Sequence, residues 1–425
     1  MIGMRIGAEI GLADAQRSAL FYSLLLKDAG CSSNAARISA LFGADDLDVK
    51  RDRKLTHWPG TSASLAHAVR TAGSGASPLE RARRIIAVSR SGAEGARELI
   101  ETRCERGDDI ARMLSLAEDT AQAIRGLDEH WDGRGYPAGF AGEAIPVLAR
   151  VIGLAQTVEV FFVSYGPEAA QAMARERSGQ WFDPQLVDAL DSVGRDRDFW
   201  ESLRAEDPLA RVAAFEPEDR ALFAGARSLD RVAGAFAKVV DAKSPWTYRH
   251  SRCVAEIAVA IGGALDLDPD ELRRLAPAGL LHDIGKLGVS NRILDKPGRL
   301  TSEEWDAVRR HPELTFRILS RVSAFSDVAE MAASHHERLD GTGYHRGLTG
   351  EQLDQPARIL AVADVCEALS AERPYRPALS AREIKDIMSR DVGSGLCPDC
   401  YAAAETVLDE GIAVEPLPAA SDSAE

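Results

Sequence analysis

The spacing of apolar and polar residues along this chain is helical almost throughout. In DPDELRRLAPAGLLHD (268–283) an apolar face follows Asp268, a helix-capping residue, with Pro269 at the first helical position and Glu271 at the third. TSEEWDAVRRH (301–311) carries a Thr301/Glu304 capping box. SDVAEMAASHHE (326–337) and ARILAVADVCEALS (357–370) have helical length and Ala-rich faces, with no strand-type alternation. Few β-branched runs bounded by turns occur, so the expected class is all-α.

A long internal repeat sets the organisation. Asp132 and Asp340 lie 208 positions apart, and at that offset Gly133, Gly135, Tyr136, Gly139, Gly142 and Glu143 match Gly341, Gly343, Tyr344, Gly347, Gly350 and Glu351. Without a gap, Ala149, Arg150, Ala155 and Glu159 then match Ala357, Arg358, Ala363 and Glu367. So many identities in one register mark a duplicated domain. The expected division is a first copy over 1–200, a charged connecting helix over 201–240, a second copy over 241–412 and a disordered tail over 413–425. Residues 59–78, rich in Gly and small side chains, read as a flexible insertion.

Composition narrows the function. The chain has 425 residues, 45% hydrophobic and 28% charged, with a formal net charge of −15. That balance is ordinary for a globular protein and argues against a general DNA or membrane-surface binder. No uncharged apolar run has membrane-spanning length, and Arg5 and Glu9 interrupt the N-terminal apolar stretch. Six cysteines are too few for a disulfide framework, which points to the cytoplasm. Cys397 and Cys400 form a lone CxxC without nearby partners, so they read as surface or core thiols.

The chemistry gathers in the second copy. His250, His282, Asp283, His311, His335, His336 and Asp364 fall at helix ends or turns, and five of the nine histidines belong to this set. Adjacent residues on a helix point about 100° apart, so His282–Asp283 and His335–His336 converge only near a helix end or across a bundle axis. Imidazole with carboxylate suits Fe, Mn, Zn or Co.

The run LLHDIGKLGVSNRILDKPGRLTSEEWDAVRRHPE, followed by HHERLDGTGY, ARILAVADVCEAL and RPYR, resembles the HD-GYP family over about 240–380. These are metal-dependent phosphodiesterases of the HD superfamily, most of which act on cyclic di-GMP. The resemblance implies two tandem HD-type helical bundles. It assigns His250, His282, Asp283 and Asp364 to a first metal, with Asp283 bridging to a second completed by His311, His335 and His336. Trp246 stands where some members place a Glu ligand for a third metal, so two divalent ions, Fe or Mn, are expected. A hydroxide bridging them would attack phosphorus, with Asp283 and Lys286 at the catalytic centre and Gly343, Tyr344, Arg373 and Arg376 binding substrate. Linear dinucleotide would be the product, and GMP after a second cut. Another nucleotide substrate and a catalytically weak regulatory protein are the alternatives. The departure is His345, where the family name has Pro; a solvent-facing imidazole is expected there.

The first copy has lost this set. His311 maps to Arg103, His335 to Leu127, His336 to Asp128 and Asp364 to Gln156. Across the insertion His282 aligns with Lys27 and Asp283 with Asp28, and the position of His250 falls before Met1. Lys27 could fill a metal's place with its own charge. The first copy is expected to bind no metal cluster and to sense, dock a protein partner, dimerise or brace the second copy.

Overall fold

The computed structural model describes residues 1–425 apart from 43, 57–68, 73–77, 205–206, 217–225, 245–248, 297, 372–377 and 411–425. Most of the expected insertion, Trp246, Arg373, Arg376 and the tail therefore lie outside the described residues. The fold is all-α: among the described residues there is no strand, and three isolated bridges are the only β-type pairing. Two compact units divide between Phe223 and Ala224.

In the second unit the helix Pro269–Leu281 starts as its sequence dictates. The Asp268 carboxylate accepts from the Asp270 N–H at 2.8 Å, which satisfies one of the donors a helix start leaves unpaired. At Ser302–Arg309 the Glu304 N–H donates to Thr301 Oγ1 at 3.3 Å, and the Thr301 N–H donates to Glu304 Oε2 at 2.8 Å. Val254, Ile257, Ile261, Leu275, Leu281, Leu319, Ile359, Leu360 and Val362 form one buried core. Each such burial contributes roughly 1.5–3 kcal/mol. The helix Gln355–Ser370 runs through this core, buried on most of its circumference. Cys397 and Cys400 are core thiols at the start of Pro398–Asp409.

The stretch expected as one connecting helix is broken. Its described residues fall in helices Arg197–Ser202, Pro208–Ala213 and Ala226–Asp241 and in turns between them. Pro208 has no N–H to continue a helix, and the Asp207 side chain caps a new one by accepting from the Ala210 N–H. Ala226–Asp241 buries Ala233 and Val240 in the second unit's core, so it belongs to that bundle.

The first unit has its own core, built on Ile6, Leu20, Ile124, Ile152, Leu154 and Leu190. By length and composition its helix Val147–Tyr165 could cross a membrane. Val151, Ile152, Leu154 and Val158 are wholly buried in the unit, and Arg150 on the same helix pairs with Asp183 at 2.6 Å. It is a core helix.

The repeated loop folds the same way twice. The Tyr344 N–H donates to the His336 carbonyl at 3.1 Å, and the Tyr136 N–H to the Asp128 carbonyl at 3.0 Å. Glu337 accepts from the N–H groups of Arg346 and Leu348 at 2.8 and 2.9 Å; Glu129 accepts from those of Ala138 and Gly139 at 2.7 and 3.2 Å. A Cβ on Gly343 would lie 2.5 Å from the Arg338 nitrogen, and one on Gly135 2.1 Å from the His130 nitrogen, so both crossings require glycine. The Tyr136–Pro137 and Tyr344–His345 peptide bonds are both cis. His345 is half-buried rather than solvent-facing: its Nε2 is shut off from solvent and has no hydrogen-bond partner.

Candidate metal centre

Helix ends bring six of the seven candidate ligands together; Asp364, expected at a helix end or turn, comes instead from the middle of a buried helix. His282 closes Pro269–Leu281 and Asp283 opens the 3₁₀ turn Ile284–Gly288, so the chain turns between them and both side chains face inward. His335 and His336 follow the end of Ser326–Ala333, and His311 begins His311–Leu319. His250 begins His250–Ala264, just after Arg249, which adopts a left-handed backbone (φ 65°). Asp364 lies inside Gln355–Ser370, with Glu367 one turn further along the same face.

Asp283 stands between two clusters. Its Oδ2 lies 3.4 Å from both His250 Nε2 and His282 Nε2, and those two nitrogens are 3.2 Å apart. Asp364 Oδ1 completes that side at 3.5 Å from His250 and 3.7 Å from His282. Asp283 Oδ1 faces His311 Nε2 at 3.3 Å and His335 Nε2 at 3.8 Å, and these are 3.1 Å apart. His336 joins the second side, its Nδ1 3.9 Å from Asp364 Oδ2.

Backbone and carboxylate partners orient the rings. His282 Nδ1 contacts the Gly279 carbonyl at 2.7 Å, His311 Nδ1 that of Val308 at 2.7 Å and His335 Nδ1 that of Ala332 at 2.6 Å. His250 Nδ1 pairs with the buried Glu367 carboxylate. A proton on each Nδ1 leaves the Nε2 lone pair aimed at the centre, the arrangement outer partners impose on metal-binding histidines.

Electrostatics agree with this geometry. Burial lowers the pKa of His282, holds His335 well below its ordinary value, and takes His336 down to about 3. Burial opposes ionisation of Asp283 and Asp364, yet Lys286 and His282 hold the former well below the carboxylate range and the surrounding histidines lower the latter. For His250 burial works against the proton, but Glu367 and Asp283 raise its pKa to about 10. Asp283 Oδ1 is a buried acceptor with no hydrogen-bond donor. The low-pKa imidazoles of His282, His335 and His336, the ionised carboxylates and an orphaned buried oxygen fit divalent cations, whereas Glu367 and Asp283 favour a proton on His250 that a cation there would have to displace.

Around the centre, the Lys286 ammonium pairs with Asp283 Oδ2. The Tyr344 ring lies 4.8 Å from that of His336 and tilts 36° to it, while the Arg309 guanidinium sits 5.8 Å from the Tyr344 ring. Burial, then Asp364 and Asp283, raise the Tyr344 pKa, so its phenol stays protonated. Glu367 was not among the sequence-derived candidates. Its one available signal was the Glu159/Glu367 identity in the repeat.

The corresponding place in the first unit is filled differently. Lys27 pairs with Asp28, and Arg103 with Asp128. Gln156 Nε2 lies 3.4 Å from the Leu127 carbonyl and 3.5 Å from Asp128 Oδ1. Lys54, from Asp46–Leu55, joins them and donates to Gln156 Oε1 at 2.8 Å.

Comparison with known proteins matches both units. The HD domain family profile matches residues 19–186 and 235–397. A 3'3'-cGAMP-specific phosphodiesterase 3 of Vibrio cholerae is 44% identical over 410 residues, covering 96% of this chain and 88% of the relative. A cyclic di-GMP phosphodiesterase of Pseudomonas aeruginosa is 45% identical over 141 residues, covering 32% of this chain and 34% of the relative. A crystal structure of a cyclic GMP-AMP-specific phosphodiesterase of Vibrio cholerae aligns with TM-score 0.63 and 39% identity, covering 96% of this chain and 91% of that one.

Proposed function

The chain belongs to the HD domain family, in its HD-GYP branch, and on that premise we propose that its second unit hydrolyses a phosphodiester bond of a cyclic dinucleotide. The observation that carries this reading is the division of the two Asp283 oxygens between two histidine clusters. We assign His250, His282, Asp283 and Asp364 to one divalent cation and Asp283, His311, His335 and His336 to a second, with iron or manganese suited to the donors. Such a pair, when bound, lowers the pKa of a water and neutralises phosphate oxygens.

The chain's own residues do the rest. Asp283 stays ionised and fixes the spacing of the two sides. Lys286, paired with Asp283, presents a point charge to a non-bridging phosphate oxygen. Tyr344 offers an aromatic face and a protonated hydroxyl, and Gly343 holds it there by letting the loop cross the Glu337–Arg338 backbone. Arg373 and Arg376 are assigned to phosphate or guanine by forked hydrogen bonds or stacking. All six cysteines are buried thiols outside any disulfide, which supports a reducing, cytoplasmic setting.

The sequence resemblance pointed to cyclic di-GMP as substrate. The relative that matches both units is instead named for 3'3'-cGAMP, whereas the cyclic di-GMP relative from Pseudomonas matches about a third of the chain. We therefore rank 3'3'-cGAMP first and cyclic di-GMP second. The test is anaerobic purification with Fe(II) or Mn(II), elemental counting of metal, and chromatography of both dinucleotides beside an Asp283→Ala control. Two metals per chain and Asp283-dependent linear product are expected, faster from 3'3'-cGAMP. Metal-loaded protein that cleaves neither dinucleotide refutes the assignment.

A further inference from the structure

The degenerate centre of the first unit is not a blank copy. Three cations converge there: Lys27 at the position of His282, Arg103 at that of His311, and Lys54, which has no counterpart among the second unit's ligands. They face two carboxylates, Asp28 and Asp128, and the neutral amide of Gln156. The acids next in sequence are committed elsewhere. Glu129 accepts loop N–H groups, and Asp52 binds Arg70 at 2.9 Å. Counted as formal charges, three cations thus face two carboxylates.

We propose that this centre is a binding site for a phosphate-bearing nucleotide anion, gripped by Lys27, Lys54 and Arg103 and not hydrolysed. Arg103 Nε is buried without a hydrogen-bond partner, and the Lys54 ammonium donates to an uncharged amide oxygen, so both retain capacity for an anionic oxygen. Arg177 fixes Lys54 in place by donating to its carbonyl at 3.2 Å. Burial first, then Lys27, press the Lys54 amine down to about 7, the response of a cation that lacks a full counter-charge. At the edge of the centre the Asp28 side chain is 58% exposed, while those of Lys27 and Arg103 are 23% and 12% exposed.

The nucleotide part follows from the loop. Glu129 and the glycines hold it in the fold of its twin, and the Tyr136 N–H ties it to Asp128 as Tyr344 is tied to His336. The first unit thus keeps an aromatic residue at the loop position that borders the second unit's centre. Ammonium and guanidinium groups neutralise phosphate oxygens but do not activate a water as a metal pair does, so a bound diester stays intact.

The test uses the full chain stripped of metal with EDTA, which stops turnover. Binding of 3'3'-cGAMP, and in parallel cyclic di-GMP, is followed by calorimetry. Lys54→Met should weaken one component about tenfold or more, while Lys54→Arg retains it. A second measurement avoids substitution: acetic anhydride labelling at pH 7, read by peptide mass spectrometry. Lys54 should be protected by the dinucleotide and not by an equal concentration of inorganic phosphate. Unchanged binding in Lys54→Met together with unchanged labelling of Lys54 overturns the proposal. Equal protection by inorganic phosphate overturns its nucleotide part. Because the assay contains no metal, failure of catalysis in the second unit does not enter its outcome.

Discussion

Substituting Gly285 by Ala should cost the second unit a metal rather than its fold. Gly285 sits in the 3₁₀ turn after Asp283, where that turn crosses the start of His311–Leu319. An added Cβ would lie 1.9 Å from the His311 carbonyl oxygen and 2.8 Å from the Thr315 nitrogen, both backbone atoms. Real Cβ contacts stay beyond 3.0 Å, so the two segments must part by about 1 Å. Three short contacts span the crossing: Gly285 N–H to Thr315 Oγ1 at 3.0 Å, Thr315 hydroxyl to the His282 carbonyl at 2.8 Å, and His311 to Asp283 at 3.3 Å. Metal ligands tolerate only about 0.2 Å, so the His311 side fails first. The steric cost is about 1–3 kcal/mol, a fall of several degrees in Tm for a unit of this size. Elemental analysis of the Mn-loaded variant should drop from two ions per chain toward one, and turnover should fall about a hundredfold or more.

Gly30→Ala is the matched control. Its Cβ would meet the Arg103 carbonyl at 2.0 Å, the same crossing in the first unit, where no metal ligand is assigned. It should lower Tm to a similar extent and leave metal content unchanged. Full metal content and turnover in Gly285→Ala would refute the reasoning.

Further outcomes follow from the same geometry. Glu367→Leu removes the carboxylate that orients His250 and should weaken Mn(II) binding about 10- to 100-fold by titration calorimetry, with Glu367→Gln in between. Gly343→Ala pushes the loop off the Arg338 and Glu337 backbone and should raise KM for the dinucleotide while metal content stays constant. Lys54 has a folded pKa near 7 against 10.5 in the unfolded chain, so the unfolded state holds more protons between those values. Stability of the first unit should therefore rise from pH 7 to pH 9, and Lys54→Met should flatten that rise in scanning calorimetry. An unchanged slope would remove the buried charge as its cause.

Much of the site was legible because its residues are marked locally. His282–Asp283 and His335–His336 stand at helix ends that their capping and turn residues announce, and the repeat offset identified the loop glycines as features of the turn. Glu367 was hidden because an acid on a helix face looks alike whether it meets water or a buried imidazole. Lys54 was hidden because its helix precedes the insertion, at a position that aligns with none of the second unit's candidate ligands. The break at Pro208 was legible in principle, since Asp207–Pro208 is a helix start, but charge periodicity across 201–240 outweighed it.

The sequence by itself determined the helical class, the duplication, and which copy kept its imidazoles and carboxylates, since these depend on residue type and short spacing. Tertiary structure alone decided that Glu367 backs His250 and that three cations meet in the first unit, and it supplied the placement of the two Asp283 oxygens between the clusters that the resemblance implied. Those facts depend on close crossings such as Gly285 over His311 and Gly30 over Arg103. There a missing Cβ brings together segments about 25 and 70 residues apart, a contact that local spacing does not encode.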